Sequence, residues 1–434
     1  MCGIQEAMEP GRCQPLQKRW RTLVQTQGTR PAVYLPGSGG VVTFGELEAA
    51  VSVMPRAGEV LVADGKGLVF LRQVLQAWRD DAVLVPVEEG VAGGDPGRPV
   101  PSEICHIKTT SGSTGSARGV YFAADQLMAD ADQIVRTMGL EPGRPNLAVI
   151  SMAHSYGFSN LVLPLLLHGI PMVLVENPLP QSVRAALATG EAFTVPAVPA
   201  MWRAWEAAGV IDGRVQLGIS AGAPLPLDLE QRVFENRGLK LHNFYGSSEC
   251  GGIAYDRSSV PRKDAQFAGC AMEGVQLSVD PGTGCLRVES PAVGSGYAGG
   301  GEALGGGIFQ TSDVVRLDGD EVWLEGRVSD AINVAGRKIA PLAVEEKLLK
   351  VPGVRHCVVF GIPSQDPVRV EEMVACLSLS GNFGMEAVRL AALRLLPPGE
   401  QPRHWCLCSD LEPDARGKIS RARWRGWFLG KSAG

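Results

Sequence analysis

Thr109-Thr110-Ser111-Gly112-Ser113-Thr114-Gly115-Ser116-Ala117-Arg118-Gly119 follows a strand-like run from Glu103 to Lys108. Glycines keep this backbone thin, so that N–H groups can point at a ligand, and the hydroxyls add donors. A polyphosphate is the natural occupant of such a loop, and a flexible surface turn is the competing reading. The Gly-x-x-x-x-Gly-Lys-Ser/Thr spacing of a Walker A loop is absent.

The flanking sequence supplies a frame for that loop. From Gly58 onward, short apolar runs alternate with helix-period segments. Strands are expected at Glu59 to Ala63, Ala82 to Pro86, Asn146 to Met152, Pro171 to Val175, Phe193 to Val195, Val215 to Ile219 and Leu239 to Tyr245. Helices are expected between them at Leu68 to Arg79, Phe158 to Leu167, Ser182 to Ala188, Pro199 to Ala208 and Leu227 to Asn236. Strand, helix, strand at this spacing means a parallel sheet with helices on its faces. After Gly251 the rhythm changes to short strands and Gly-rich turns, a small β-rich subdomain. The last hundred residues read as α+β: helices at Leu342 to Leu349 and Gly384 to Leu395, strands at His356 to Phe360 and Met373 to Leu379. Residues 90–102 read as a Gly/Pro loop from the sequence.

Composition bounds the function. The 434 residues are 45% hydrophobic and 20% charged, which is globular and not disordered. Forty-one basic against 46 acidic residues give a formal net charge of -5, so no nucleic-acid partner is expected. The 54 glycines and 30 prolines imply many tight turns. Ten scattered cysteines without a C-x-x-C spacing read as reduced thiols of a cytoplasmic protein. The N-terminus lacks a basic start followed by an apolar run, and the stretch Leu161 to Val175 is too broken to span a membrane.

Further motifs follow the Ser/Gly loop in order: His154-Ser155-Tyr156-Gly157, Ser220-Ala221-Gly222-Ala223-Pro224, Tyr245-Gly246-Ser247-Ser248-Glu249, Thr311-Ser312-Asp313, Gly326-Arg327, Asn333-Val334-Ala335-Gly336 and Gly417-Lys418-Ile419-Ser420-Arg421. The ordered set resembles the adenylate-forming superfamily of acyl-CoA synthetases, peptide-synthetase adenylation domains and beetle luciferases, over about Pro31 to Arg425. The resemblance implies an α/β protein: a large N-terminal domain (1–326) with parallel sheets flanked by helices plus a small β-rich subdomain, and a mobile α+β C-terminal lid domain (327–434). It implies an AMP-forming acid–thiol ligase that uses ATP and Mg²⁺ to turn a carboxylic acid into an acyl-adenylate. Thioester formation follows, with coenzyme A or with the phosphopantetheine of an acyl carrier protein. A non-catalytic adenylate-binding module is the alternative from another class.

The resemblance also assigns roles. Thr110, Ser111, Gly112, Ser113, Thr114, Gly115 and Arg118 would cradle phosphates. Glu249 would hold Mg²⁺, Ser248 would touch the α-phosphate, and Tyr245 and Gly246 would flank the nucleotide. Lys418 would bridge carboxylate and phosphate, a task that suits a compact ammonium. Ala221, Gly222 and Ala223 would form the strip under adenine, with Asp313 and Arg327 on the ribose. Gly336 and Lys338 would serve CoA, and Ser329 would be the hinge for domain rotation. His154 would gate the reacting carboxylate, and a histidine packing at a strand end is the plainer alternative.

Peptide-synthetase relatives that take α-amino acids carry an aspartate in the segment matching His154 to Ser159, and none stands there here. An unpaired ammonium in a dry pocket is costly, so aryl or fatty acids are expected. Four features depart from the family pattern: Ser312 stands where glycine is usual, the stretch between Pro413 and Gly417 is one residue short, and two more concern the phosphate loop and the length. Ala117-Arg118 replaces the usual Pro-Lys, and the chain is short, with the N-terminal region trimmed.

Overall fold

The computed structural model describes residues 11–88, 99–110, 118–300, 304–334, 337–364, 370–381, 383–413 and 419–432. These fall into two compact units. The first holds the described residues of 1–276 and 288–309, the second those of 277–287 and 310–432.

The larger sheet of the first unit has a parallel core. Strands Leu241–Ser247, Val215–Ser220, Phe193–Ala197, Asn146–Ala148, Met172–Leu174 and Pro31–Leu35 lie side by side in that order. Antiparallel strands flank it: Gly251–Tyr255 and Phe267–Ala271 on one side, Gly40–Thr43 on the other. Every residue of Phe193–Ala197 is buried, the continuous apolar run that a parallel strand covered on both faces requires. Helices Pro180–Leu187 and Pro199–Ala207 each begin with proline, whose missing N–H is an orphan at that position anyway. They and the strands enclose a core with Trp202 and Trp205 edge-to-face at 5.3 Å. Trp202 Nε1 donates to the carbonyl of Ile219 at 3.2 Å, and Trp205 Nε1 to that of Pro178 at 2.8 Å, so neither indole is buried unpaired.

A second sheet in this unit orders Val60–Asp64, Val83–Val87, Ile104–Thr110, Arg118–Ala123 and Gly296–Tyr297. Its first three strands are parallel and its last two join antiparallel.

Two expected elements differ in detail. The strand from Asn146 ends at Ala148, not at Met152. The helix expected from Phe158 begins as a π-turn over Phe158–Val162 before becoming α over Leu163–His168. Pro164 has no N–H for the carbonyl of Asn160, which instead accepts from Asn146 Nδ2 at 3.2 Å. Helices Gln14–Gln27, Phe44–Ser52 and Ala124–Met138 were outside the sequence reading.

The second unit contains an antiparallel hairpin in which Asp313 to Asp318 face Glu321 to Arg327. It also contains a three-stranded sheet of Val354–Pro363, Glu371–Leu379 and His404–Leu407. Side chains alternate across that sheet. Cys357, Val359, Met373, Ala375 and Leu377 pack with helices Pro341–Leu349 and Met385–Leu395. Val358, Phe360, Val374 and Cys376 face Trp424 of helix Arg421–Ser432. This is the α+β pattern expected of the last hundred residues. No helix among the described residues is long and apolar enough to cross a membrane.

Candidate active site

The motif residues of the first unit gather where its parallel strands end. His154 follows Asn146–Ala148, Ala221 to Ala223 follow Val215–Ser220, and Tyr245 to Glu249 close Leu241–Ser247. Thr110 ends the central strand of the second sheet. The carboxyl ends of parallel strands are where open α/β folds place ligands.

Glu249 sits in the turn between Leu241–Ser247 and Gly251–Tyr255. Its amide donates to Ser247 Oγ at 3.2 Å, and its carbonyl accepts from the Gly294 amide at 2.8 Å. The backbone here allows no side chains at two positions. A Cβ on Gly246 would lie 2.6 Å from the carbonyl oxygen of Gly251, and Gly251 itself has φ +69°. Ser248 lies half-buried in the same turn. Burial pushes the neighbouring Cys250 thiol up to about 12, leaving it protonated and inert.

Tyr297 is a site residue that the sequence reading missed. Its hydroxyl donates to Glu249 Oε1 at 3.2 Å. Burial, and then the Glu249 carboxylate, push the Tyr297 phenol well above its ordinary value, so it stays a donor. Arg118 lies with its guanidinium carbon 5.7 Å from the Tyr297 ring centroid. Thr110 and Arg118 face each other in the antiparallel ladder, and Thr110 Oγ1 donates to the Arg118 carbonyl at 3.2 Å. Only a Gly-Tyr pair in a Gly-rich stretch marked Tyr297 in the sequence, too weak a signal to find it.

Glu88 is the second missed residue. Its Oε1 lies 3.1 Å from His154 Nε2 and accepts from Ser151 Oγ at 2.6 Å. The turn carrying His154 is packed tightly on the other side, where a Cβ on Gly65 would lie 2.3 Å from the Ala153 Cβ.

Aromatic and small residues stand among the same motifs. The Tyr156 and Phe244 rings are 5.9 Å apart, and the Tyr156 hydroxyl is 3.4 Å from the carbonyl oxygens of both Ala197 and Ile219. Burial raises the Tyr156 phenol well above its usual range. Gly222 has φ +84°, and a Cβ there would touch Val198 at 3.4 Å, leaving the strip from Ala221 to Ala223 thin.

In the second unit, Asp313 and Arg327 are direct cross-strand partners, with Arg327 Nε 2.5 Å from Asp313 Oδ1. Thr311 Oγ1 accepts from the Asp313 amide at 3.1 Å and fixes that turn of chain. Lys418, Gly336 and the loop residues Ser111, Gly112, Ser113, Thr114 and Gly115 lie outside the described residues, as does the side chain of Lys338. Among the described residues no group of three or more His, Cys, Asp or Glu side chains converges as a metal site.

Residues 41–298, well over half the chain, match the family described as AMP-binding enzyme. The chain belongs to the AMP-binding enzyme family. Among its relatives, a feruloyl-CoA synthase from an Amycolatopsis species is 31% identical over 286 residues, 60% of this chain and 57% of that protein. The chain thus aligns with little more than half the length of that relative. A benzoate–CoA ligase from Thauera aromatica is 25% identical over 397 residues, covering 86% of this chain and 73% of the ligase. The crystal structure of ATP-bound MatB from Rhodopseudomonas palustris superposes with a TM-score of 0.83 at 18% identity, over 95% of this chain and 98% of that one. The two share the α/β fold. The family match spans Thr110 to Tyr297 and stops short of Asp313, Arg327 and Lys418.

Proposed function

We propose that this AMP-binding enzyme activates an aryl carboxylic acid with ATP to the acyl-adenylate, releasing pyrophosphate, and then transfers the acyl group to the thiol of coenzyme A. The observation that carries the reading is the gathering of His154, Ala221 to Ala223 and Tyr245 to Glu249 at one set of strand ends. The relatives named for feruloyl-CoA and benzoate–CoA formation support it.

Two anions must meet, the carboxylate and the α-phosphate, so charge neutralisation is the main catalytic task. In the proposed division of labour, the loop from Thr110 to Gly115 and Arg118 hold the phosphates, and Ser248 donates to the α-phosphate. Asp313 accepts from the ribose hydroxyls beside Arg327, and adenine lies on Ala221 to Ala223. Lys418 bridges the carboxylate and the α-phosphate, neutralising both as the new bond forms. Glu249 offers a half-buried carboxylate whose Oε1 is fixed by Tyr297, leaving Oε2 for a cation. One carboxylate completed by substrate phosphates fits Mg²⁺, which would screen the polyphosphate charge there. The CoA roles of Gly336 and Lys338, and a hinge at Ser329 between the proposed domains 1–326 and 327–434, belong to the same proposal.

Tyr156, Phe244 and Val198 offer the acid an apolar, partly aromatic wall, and none of these three residues carries a carboxylate to pair an amine. A planar aromatic acid suits that wall, because rings stack on rings at such distances. ATP–pyrophosphate exchange across benzoic, cinnamic, fatty and amino acids tests the reading. Exchange with the aromatic acids, abolished in Lys418→Ala while ATP still binds, is expected. Exchange with amino acids alone would overturn the substrate class. No exchange with any acid, in folded protein that binds ATP, would overturn the activity.

A further inference from the structure

Near the end of strand Ile104–Thr110 lies a buried charge cluster that the proposed mechanism does not use. Lys108 is 2% exposed and Asp130 is 1% exposed. Lys108 Nζ is 3.3 Å from Asp130 Oδ2 and 3.2 Å from Ser159 Oγ, and Ser159 Oγ donates to Asp130 Oδ2 at 2.5 Å. The ammonium also lies 4.5 Å from the Phe122 ring centroid. Charges so deeply buried are costly unless every donor and acceptor is met. Here they are not all met. Among the described residues, Asp130 Oδ1 has no hydrogen-bond partner, and neither ring nitrogen of His106 has one. His106 is two residues before Lys108 on the same strand, with its ring centroid 4.3 Å from that of Phe158 and the rings tilted by 33°.

The cluster joins four segments. Lys108 is two residues before the end of the strand that feeds the phosphate loop. Asp130 comes from helix Ala124–Met138, and Ser159 from the π-turn just past His154-Ser155-Tyr156-Gly157. The free oxygen of Asp130 is pressed onto Gly251, where a Cβ would lie 2.1 Å from it, two residues beyond Glu249. A strut kept only for stability has no need to hold an unpaired oxygen against the turn that carries Glu249.

We propose that Lys108, Asp130 and Ser159 are positioning residues: they fix the phosphate-loop strand, the Glu249 turn and the His154 segment in mutual register for ATP. The cluster acts through those segments and touches no substrate. The proposal rests on the adenylation reading, but its test includes a readout that does not.

The test compares Lys108→Met with the double variant Lys108→Met/Asp130→Asn. The single variant strands a buried carboxylate and loses melting temperature. The double variant removes both charges and regains it. Calorimetric ATP affinity without acid, and exchange kinetics with a benzoic acid, are then measured on each. The expected result is a double variant of recovered melting temperature whose ATP dissociation constant and KM for ATP stay raised, by up to about a hundredfold, the scale on which a misplacement of about 1 Å acts. Recovery of ATP affinity together with stability would overturn the proposal. Should the double variant fail to fold, Lys108→Arg keeps the charge and moves the donor. Raised KM for ATP at unchanged melting temperature supports the proposal, and wild-type KM overturns it. A wild-type enzyme without exchange would defeat the adenylation reading, while the calorimetric comparison would still decide the role of the cluster.

Discussion

Two buried charge networks in the first unit make opposite use of the same residue types. Around Lys240, every partner is met. Its ammonium donates to Glu230, to Asp256 Oδ2 at 2.6 Å and to the Leu241 carbonyl at 2.7 Å. Arg262 donates to Glu230 Oε2 at 2.9 Å, to the Leu225 carbonyl at 2.6 Å and to that of Phe267 at 2.8 Å. Asp256 Oδ1 accepts from Ser258 Oγ at 2.6 Å. Around Lys108, an aspartate oxygen and both nitrogens of a histidine go unmet among the described residues. The satisfied network holds helix Leu227–Arg237 to its sheet and is a strut. The unsatisfied one bears on the turn of Glu249. The difference teaches that buried charge alone does not mark function, and it is the unmet charge beside the Glu249 turn to which we assign a positioning role.

The largest effect that would sharpen this contrast is expected from Lys240→Met. It leaves Glu230 with Arg262 as its cation and Asp256 with only the amide and hydroxyl of Ser258, and costs about 3–5 kcal/mol of folding stability, the usual loss when a buried pair is broken. Guanidinium unfolding reads that loss. The ATP affinity of the molecules that remain folded is expected to stay at the wild-type value, unlike that of the Lys108 variants. Weakened ATP binding in folded Lys240→Met would erase the distinction between strut and positioning cluster.

A second effect follows from pH. Burial, and then the Lys108 charge, hold His106 neutral well below its ordinary value of 6.5. Burial also lowers His168 and His242, with smaller shifts. The unfolded chain therefore takes up protons below about pH 6.5 that the folded chain refuses, and stability falls as pH drops from there toward the lowered folded value. The contribution of one such histidine is about 1.4 kcal/mol per pH unit. In His106→Phe that part of the slope is expected to vanish in unfolding measured between pH 6.5 and 5. An unchanged slope would show that His106 is not held neutral by its surroundings.

These features also mark the limit of what the sequence told. The strand–helix rhythm from Glu59 to Tyr245 was legible, because residues buried in a parallel sheet leave continuous apolar runs. The motif segments were legible because they follow one another in an order that resembles the adenylate-forming superfamily, although each alone would also fit an ordinary turn. Glu88, Tyr297, Asp130 and Lys108 were not. Each is a single polar residue whose meaning comes from a partner far along the chain, such as Tyr297 reaching Glu249 at 3.2 Å. The π-turn at Phe158–Val162 was hidden for a similar reason: Pro164 read as a break in an apolar run, and only packing on Asn146 shows where the freed carbonyl goes.

Smaller effects are expected at the edges of the comparison. Tyr297→Phe removes the donor to Glu249 Oε1 and is expected to cost about 1 kcal/mol of stability, with a several-fold rise in KM for ATP that excess Mg²⁺ partly reverses. A wild-type KM at every Mg²⁺ concentration would count against Tyr297 as the residue that orients Glu249.

The central claim is tested most directly by incubating the wild-type protein with ATP, Mg²⁺, coenzyme A and a benzoic or hydroxycinnamic acid. AMP and acyl-CoA are then counted by mass spectrometry. Adenylation followed by thioester formation predicts one AMP for each acyl-CoA formed, with the acyl-adenylate accumulating when coenzyme A is left out. ADP in place of AMP, or ATP bound with no acyl-adenylate from any acid, would contradict it.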